Sequence, residues 1–199
     1  QIWHEARKKT AVSPGRFTDI FQGGMLRLTL AITMMNAFTM FAWWGFNLWL
    51  PGYLSLPASE GGIGLSTTAM SVLVFTMQIG MWFGYVTFGF ISDAVGRKRA
   101  YVGYLLTAAG LLFVYTSMRQ PLALLALGPF VAFFATGYFS GFGAVTAEIY
   151  PTAIRATAQG FTYNIGRVVS AAAPWAIGSL ALTHGFGAAL SLSSVAFVL

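Results

Sequence analysis

Long apolar runs dominate the sequence, and short segments that carry charges, glycine or proline separate them. A helix needs about 20 mostly apolar residues to cross a bilayer, because it rises about 1.5 Å per residue through about 30 Å of hydrocarbon. The runs that are long enough cover residues 28–50, 67–91, 100–118, 122–147 and 158–182. The pattern predicts an all-α, polytopic bundle of transmembrane helices.

A further apolar run begins at Phe186 and reaches Leu199. A helix over this run would be about 21 Å long, which is less than the thickness of the hydrocarbon layer. We therefore expect six spans, of which the last is incomplete. Residues 28–199 form the predicted transmembrane unit, and residues 1–27 form a segment on one side of the membrane.

Charged residues are too few for a soluble protein. Asp, Glu, Lys and Arg make up 8% of the chain, whereas soluble domains carry roughly 25%. In water, a chain with 57% hydrophobic residues would expose apolar patches much larger than soluble monomers tolerate. The composition excludes a soluble enzyme and makes the lipid bilayer the solvent of this chain.

Enzyme signatures are absent from the sequence. It has no cysteine, no glycine-rich phosphate loop and no carboxylate inside an apolar run, and its two histidines, His4 and His184, stand apart. We therefore expect no catalytic site, no metal and no cofactor. The basic residues fall in short clusters between the runs rather than on one face, so we expect no nucleic-acid partner.

Basic residues concentrate on the cytoplasmic side of membrane proteins. Arg119 stands alone on one side of the predicted spans, whereas the other side carries Arg7, Lys8, Lys9, Arg16, Arg27, Arg97, Lys98, Arg99 and Arg155. This count predicts that residues 1–27 and both ends of the six-span unit lie in the cytoplasm, across a plasma membrane that in a bacterium is the inner membrane. The cluster Arg7-Lys8-Lys9 has two interpretations, contact with acidic lipid or a solvated linker that fixes topology.

The predicted turn between the second and third spans, residues 92–99, places one acid before three bases. A tight reversal needs glycine, because glycine adopts positive φ at low cost. The acid can pair with the bases or with a helix N-terminus. This region resembles the G-x-x-x-D-[RK]-x-G-R-[RK] signature of the major facilitator superfamily, with matches at Gly89, Asp93, Gly96, Arg97 and Lys98. Ala94 replaces the expected base, which indicates the copy found in the second half of such transporters.

The turn between the fourth and fifth spans holds Glu148, Pro151 and Arg155. It resembles the E-x-x-P-x-x-x-R pattern of the sugar porters and their relatives in the same superfamily. Two opposite charges at a lipid interface are costly alone and plausible as partners. With both turns matched, the resemblance covers the whole chain.

The resemblance implies that the chain is the C-terminal six-helix half of a transporter, whose partner is the N-terminal half and which is monomeric at full length. It also implies a cytoplasmic latch that holds the outward-open state, formed by Asp93, Arg97, Glu148 and Arg155. We expect Arg97 to pair with Glu148, and Asp93 to pair with Arg155 or with a helix end of the other half. A fixed folding clamp without a gating part is the alternative.

Arg167 lies deep inside the fifth predicted span, where a charged side chain costs about 3 kcal/mol or more. Tyr163 and Asn164 lie near it on the same helix. Its partner is a carboxylate of the other half, backbone carbonyls, or an anionic solute held by a bidentate contact. The resemblance favours the solute, since related carriers of aromatic and other organic acids have a basic residue in this helix.

Asn36, Trp43 and Asn47 lie on one stripe of the first predicted helix. Amides in lipid need partners, so the stripe faces a cavity or another helix. We predict that Asn36, Asn47 and either Trp43 or Trp44 line a solute cavity, and that Gln78 of the second helix joins them.

Glycine and proline mark the helix contacts and ends. Two small-x-x-x-small pairs predict close packing of helices, namely Gly80 with Gly84 and Gly137 with Gly141. Pro129 and Pro174 predict interruptions of the fourth and fifth helices. The segment 51–64 predicts a loop that ends the first helix.

The resemblance implies secondary active transport of a small solute by alternating access, most specifically proton-coupled symport of an organic acid, with aromatic acids included. The proton site would lie in the other half, because this chain has no carboxylate at depth. Two alternatives stay open: a sugar porter or facilitator without proton coupling, and a membrane sensor of the same fold that does not transport.

Overall fold

A computed structural model describes residues 15–199 of the chain. The predicted segment 1–27 is therefore seen only from Gly15 onward, and the cluster Arg7-Lys8-Lys9 lies outside the described residues. A 3-10 helix, Phe17–Phe21, precedes the first long helix. Its Ile20 is buried, and the Ile20 carbonyl accepts a hydrogen bond of 2.7 Å from the Thr29 hydroxyl. This end of the segment packs onto the bundle.

Eight α-helices follow in the described residues: α1 Met25–Ser55, α2 Thr67–Val95, α3 Arg97–Ser117, α4 Pro121–Gly137, α5 Phe142–Ile149, α6 Arg155–Ser170, α7 Ala173–His184 and α8 Phe186–Val198. Helices α4 and α5 form one span, Pro121–Ile149, and α6 and α7 form another, Arg155–His184. The five complete predicted spans are thus confirmed in number and place. The sixth apolar run is the shorter helix α8, and residues 15–199 contain no strand.

Helix α1 lies against α6, α7 and α8, and α2 packs along α4. Helix α8 contacts α1, α3 and α7. Aromatic rings fill the space between these helices: the Phe46 and Tyr115 rings meet edge to face, with centroids 5.8 Å apart. The site described below lies between α1, α2 and α6.

The first helix extends further than the sequence indicates. The prediction that Pro51 begins a loop was wrong, because α1 continues to Ser55 with Pro51 inside it. Burial of Tyr53 and Leu54 holds this last turn in place. The following loop folds back and supplies donors for the final carbonyls, with Ile63 N–H bonded to Tyr53 O at 3.0 Å and Leu65 N–H bonded to Leu54 O at 2.8 Å.

The turn between α2 and α3 is shorter than predicted. Instead of a loop over residues 92–99, α2 runs to Val95, and Gly96 alone separates it from α3. Gly96 has a φ of 92°, which confirms the expectation that a glycine with positive φ makes this reversal. The arginine and lysine residues at the start of α3 can remain in a helix, because their long side chains can extend to the membrane surface.

Only one of the two predicted proline interruptions occurs where it was predicted. The fifth span breaks at residues 171–172, and Pro174 stands in the first turn of α7. Pro129, in contrast, stays inside α4, and the fourth span is interrupted later by a 3-10 turn, Tyr138–Gly141. At this point α2 packs closely against α4, with Gly80 next to the Pro129 carbonyl.

The glycine pairs form close contacts between helices, as predicted. A Cβ atom at Gly80 would collide with the Pro129 carbonyl, and one at Gly84 would collide with the Phe133 carbonyl. Gly137 faces Gly84 from the other side of the same interface. Backbone therefore meets backbone between α2 and α4, which no larger residue would permit.

We predict that Gly80→Ala weakens this interface. The added methyl group has no space between α2 and α4, so overpacking should lower the free energy of unfolding by about 1–3 kcal/mol. Gly103→Ala on α3 is the matched control, because nothing lies within 4 Å of its Cβ position. Thermal unfolding of the purified full-length protein in detergent measures both. Equal midpoints for the two variants would contradict the prediction.

Candidate functional site

A cavity of about 520 Å³ opens between α1, α2, α6 and the turn Tyr138–Gly141. We call it the central cavity. Half of its lining residues are aromatic, and the others include two side-chain amides and one serine hydroxyl: Met40, Trp43, Trp44, Asn47, Gln78, Met81, Tyr85, Phe139, Ser140 and Tyr163. Such a mixture of apolar walls and a few polar groups is typical of sites for small molecules.

Five of the eight predicted solute ligands meet in this cavity: Trp43, Trp44, Asn47, Gln78 and Tyr163. They come from three helices, so their meeting is a property of the fold. Their function in binding stays a prediction.

The two amides of the central cavity are accessible. Gln78 is exposed and Asn47 is half-buried. Their side chains make no hydrogen bond to any other residue between 15 and 199. Each amide offers both a donor and an acceptor, so together they can hold a polar group of a bound molecule.

Arg167 does not line the central cavity. It lies in an adjoining space of about 270 Å³, which we call the side cavity, together with Trp44, Leu48, Ser170, Ala171 and Pro174. Trp44 belongs to both cavities. The guanidinium carbon of Arg167 lies 5.9 Å from the centre of the Tyr163 ring, in a cation–π contact. Tyr163 and Trp44 therefore connect the charge to the central cavity.

The break in the fifth span helps to explain how a charge is tolerated here. Arg167 sits in the last turn of α6, and its carbonyl accepts hydrogen bonds from Ala171 N–H at 3.1 Å and from the Ser170 hydroxyl at 2.8 Å. The negative end of the helix dipole stabilises a cation at this position. No carboxylate among residues 15–199 pairs with Arg167.

Two predicted ligands lie elsewhere. Asn164 is exposed outside both cavities, and its amide donates to the Gly160 carbonyl of its own helix at 2.7 Å. Asn36 is 3% exposed, because α6 approaches α1 closely at Gly166 and covers it. The prediction that Asn36 lines the cavity was therefore wrong, although it shares a stripe with Asn47.

The two charged turns meet at Arg97. Its guanidinium contacts Asp93 Oδ1 at 2.6 Å and Glu148 Oε1 at 3.1 Å, and it donates to the Ser92 hydroxyl at 2.5 Å. The expected contact between Arg97 and Glu148 is thus present. All three charged groups are accessible to solvent, so the pairs are screened and weak as sources of stability.

The expected pair between Asp93 and Arg155 does not form. Asp93 bonds Arg97 instead, since the two are four residues apart around a single-residue turn. Arg155 donates to the Tyr150 carbonyl at 3.4 Å and has no carboxylate partner in the described part of the chain. Lys98 is exposed beside this network, and Gly89 lies within α2 with open space at its Cβ position.

Sequence reasoning missed part of the cavity wall. Met81 follows Gln78 along α2 at helical spacing, a signal that could have found it. Phe139 and Ser140 belong to the 3-10 turn, and nothing local in the sequence marks that turn as an opening.

Known proteins resemble this chain over nearly its full length. A protein of Haemophilus influenzae that carries the name of a metabolite transport protein is 32% identical over 97% of the chain. The cis,cis-muconate transport protein of Acinetobacter baylyi is 31% identical over 98% of it. The chain spans about half the length of each relative, 48% in both cases.

A solved structure also resembles this fold. The crystal structure of the peptide transporter POT in complex with alafosfalin superposes on 89% of this chain and 38% of its own, with a TM-score of 0.71 and 15% identity. No protein-family model matches the chain. The relatives and this structural neighbour are transporters rather than enzymes, as the sequence analysis expects of this chain.

We predict that Asn36→Leu leaves the fold intact and raises its stability. The buried Asn36 amide nitrogen has no hydrogen-bond partner in residues 15–199, and removal of such a donor recovers about 1–3 kcal/mol. Asn47→Leu is the matched control, because the half-buried Asn47 opens into the cavity and should leave the unfolding midpoint nearly unchanged. Thermal unfolding in detergent measures both. A lower midpoint for Asn36→Leu would show that its amide is paired.

Proposed function

Because the chain belongs to the major facilitator superfamily, we propose that it is the C-terminal six-helix half of a secondary transporter that moves a small organic acid by alternating access. In this mechanism a solute binds near the membrane midplane between two halves, which expose it to one side at a time. The N-terminal half would supply the opposite wall of the central cavity. The unit would lie in the bacterial inner membrane with both ends in the cytoplasm.

The assignment to the C-terminal half is supported by the charged turn after α2. Ala94 stands where the signature expects a base, and that departure is typical of the second copy in this superfamily. The distribution of basic residues supports the orientation, since Arg97 and Arg155 lie at the same end of the bundle, whereas Arg119 lies at the other.

Arg167 is the observation that carries the organic-acid proposal. A guanidinium without a carboxylate partner in the described chain lies beside a cavity lined by aromatic rings and amides. Such a group binds a carboxylate through two parallel hydrogen bonds. The relative from Acinetobacter baylyi is named for cis,cis-muconate, a dicarboxylate, which supports the same class of solute here.

Symport with protons is the finer part of this proposal. Coupling needs a group at depth that gains and loses a proton, and the acidic residues between positions 15 and 199, Asp93 and Glu148 among them, lie outside the central cavity. The proton site would therefore belong to the N-terminal half.

A sugar porter or facilitator is the second candidate, and the two amides of the central cavity favour it. Asn47 and Gln78 offer the donors and acceptors that hydroxyl groups need. The candidates differ in what they require of Arg167. An acid carrier depends on its charge, whereas a sugar carrier depends on the amides.

We predict that Arg167→Ala strongly reduces uptake of the organic acid. Loss of a charge-assisted bidentate contact costs about 1.5–3 kcal/mol, which lowers affinity at least about tenfold. Arg167→Lys should retain part of the affinity, since it keeps the charge but loses the paired geometry. Uptake by the full-length protein in proteoliposomes, with a panel of organic acids and sugars, is the measurement.

Arg27→Ala is the matched control, because Arg27 is exposed at the first turn of α1, far from both cavities. Normal acid binding by both Arg167 variants would exclude this arginine as a ligand. Sugar uptake that survives Arg167→Ala would favour the second candidate.

The network around Arg97 is proposed as the cytoplasmic latch. Arg97 links Asp93 at the end of α2 to Glu148 at the end of α5, so it joins two spans that pack on each other through α4. Weak, solvent-exposed ion pairs suit a contact that must break in every transport cycle. The alternative, a fixed folding clamp, requires that these pairs support stability.

We predict that Glu148→Gln or Asp93→Asn shifts the transporter toward its inward-open state. The chain contains no cysteine, so Ser140→Cys in the central cavity supplies a reporter within this half. Labelling from the cytoplasmic side by an impermeant thiol reagent should rise about threefold, because a small loss of latch energy moves a two-state population by that amount.

Glu60→Gln, in the loop at the opposite end of the bundle, should leave the labelling unchanged. Unchanged labelling in the two latch variants, with transport intact, would contradict a gating function.

A further inference from the structure

Trp44 stands between the two cavities. It lines the central cavity with Asn47 and Gln78, and it lines the side cavity with Arg167. A molecule that reaches from the amides to the guanidinium can therefore contact this indole ring. The position allows Trp44 to sense the shape of the part of the solute between its two polar ends.

The ring of Trp44 is available for such a contact. Trp44 is 45% exposed, whereas its neighbour Trp43 is only 6% exposed and packs against Phe46. No aromatic ring in residues 15–199 pairs with Trp44. Tyr163, the other aromatic residue near the charge, already has Arg167 over its ring.

An exposed indole face distinguishes flat from puckered molecules. A planar conjugated skeleton stacks on the ring with all its atoms in contact, whereas a saturated ring touches it only through a few hydrogens. Stacking of this kind contributes beyond simple burial of area. The difference acts on two solutes that carry the same carboxylate and the same number of carbons.

We propose that Trp44 determines specificity by selecting carboxylates with a planar carbon skeleton over puckered ones. Arg167 holds the carboxylate, Trp44 stacks on the skeleton, and Asn47 and Gln78 bind a polar group at the far end. This inference rests on the proposed function, because it takes an organic acid as the solute.

The test compares benzoate with cyclohexanecarboxylate, which have the same number of carbons and one carboxylate each, ionised at pH 7. Equilibrium binding of both acids to the purified full-length protein is measured by calorimetry for the wild type and for Trp44→Phe and Trp44→Leu. We expect the wild type to bind benzoate at least about fivefold more tightly than cyclohexanecarboxylate. Trp44→Phe should keep most of this preference, and Trp44→Leu should remove it by weakening benzoate alone.

Trp175→Leu is the matched control, since Trp175 is 76% exposed on α7 and lines neither cavity. It should keep the wild-type preference. Trp44→Phe also guards against misfolding, because it retains an aromatic ring of similar shape.

Two results would overturn the inference while leaving the proposed function in place. One is a wild type that binds both acids equally; the other is a Trp44→Leu variant that weakens both acids by the same factor. A wild type that binds neither acid would also overturn the inference; if it is folded, binds a neutral solute and takes up none of the organic acids of the panel, the organic-acid function itself fails with it.

Discussion

In a bilayer, every backbone N–H and C=O group must find a partner within the protein, because lipid offers none. Within its spans this chain leaves the regular α-helix at Tyr138–Gly141 and at residues 171–172. The first interruption contributes Phe139 and Ser140 to the central cavity, and the second lies in the wall of the side cavity. Both irregular segments thus border a cavity. This placement is expected, because unpaired backbone groups that faced lipid would cost free energy.

The same constraint limits where charge can stand. Most charged residues in the described part of the chain lie at or near helix ends, and Arg97 gathers two of the acids in one network. Arg167 is the exception at depth, and the end of α6 together with the Tyr163 ring reduces the cost of its charge. Because Arg167 has no carboxylate partner among residues 15–199, its charge is available to an anionic solute. Trp44, which borders both cavities, would then act on the rest of that solute.

The spans themselves could be predicted from the sequence, because length and hydrophobicity decide whether a helix can cross a bilayer. Gly96 was predictable as well, since a sharp reversal between two long helices needs a positive φ. The proline rules were less reliable. Pro51 and Pro129 both remain inside helices, because neighbouring segments hold the surrounding turns in place.

The candidate site shows most clearly what sequence and tertiary structure each decide. The sequence alone predicts the membrane-spanning class, the stripe of amides and tryptophans on α1, and an arginine inside the fifth span. Asn36 and Asn47 are equivalent on that stripe, yet α6 covers Asn36 at Gly166 and leaves Asn47 at the cavity. Likewise, the expected contact between Arg97 and Glu148 forms, whereas only the fold shows that Asp93 bonds Arg97 rather than Arg155. Helical periodicity determines which residues share a face, and only the packing of other helices decides whether that face meets a cavity or a neighbour.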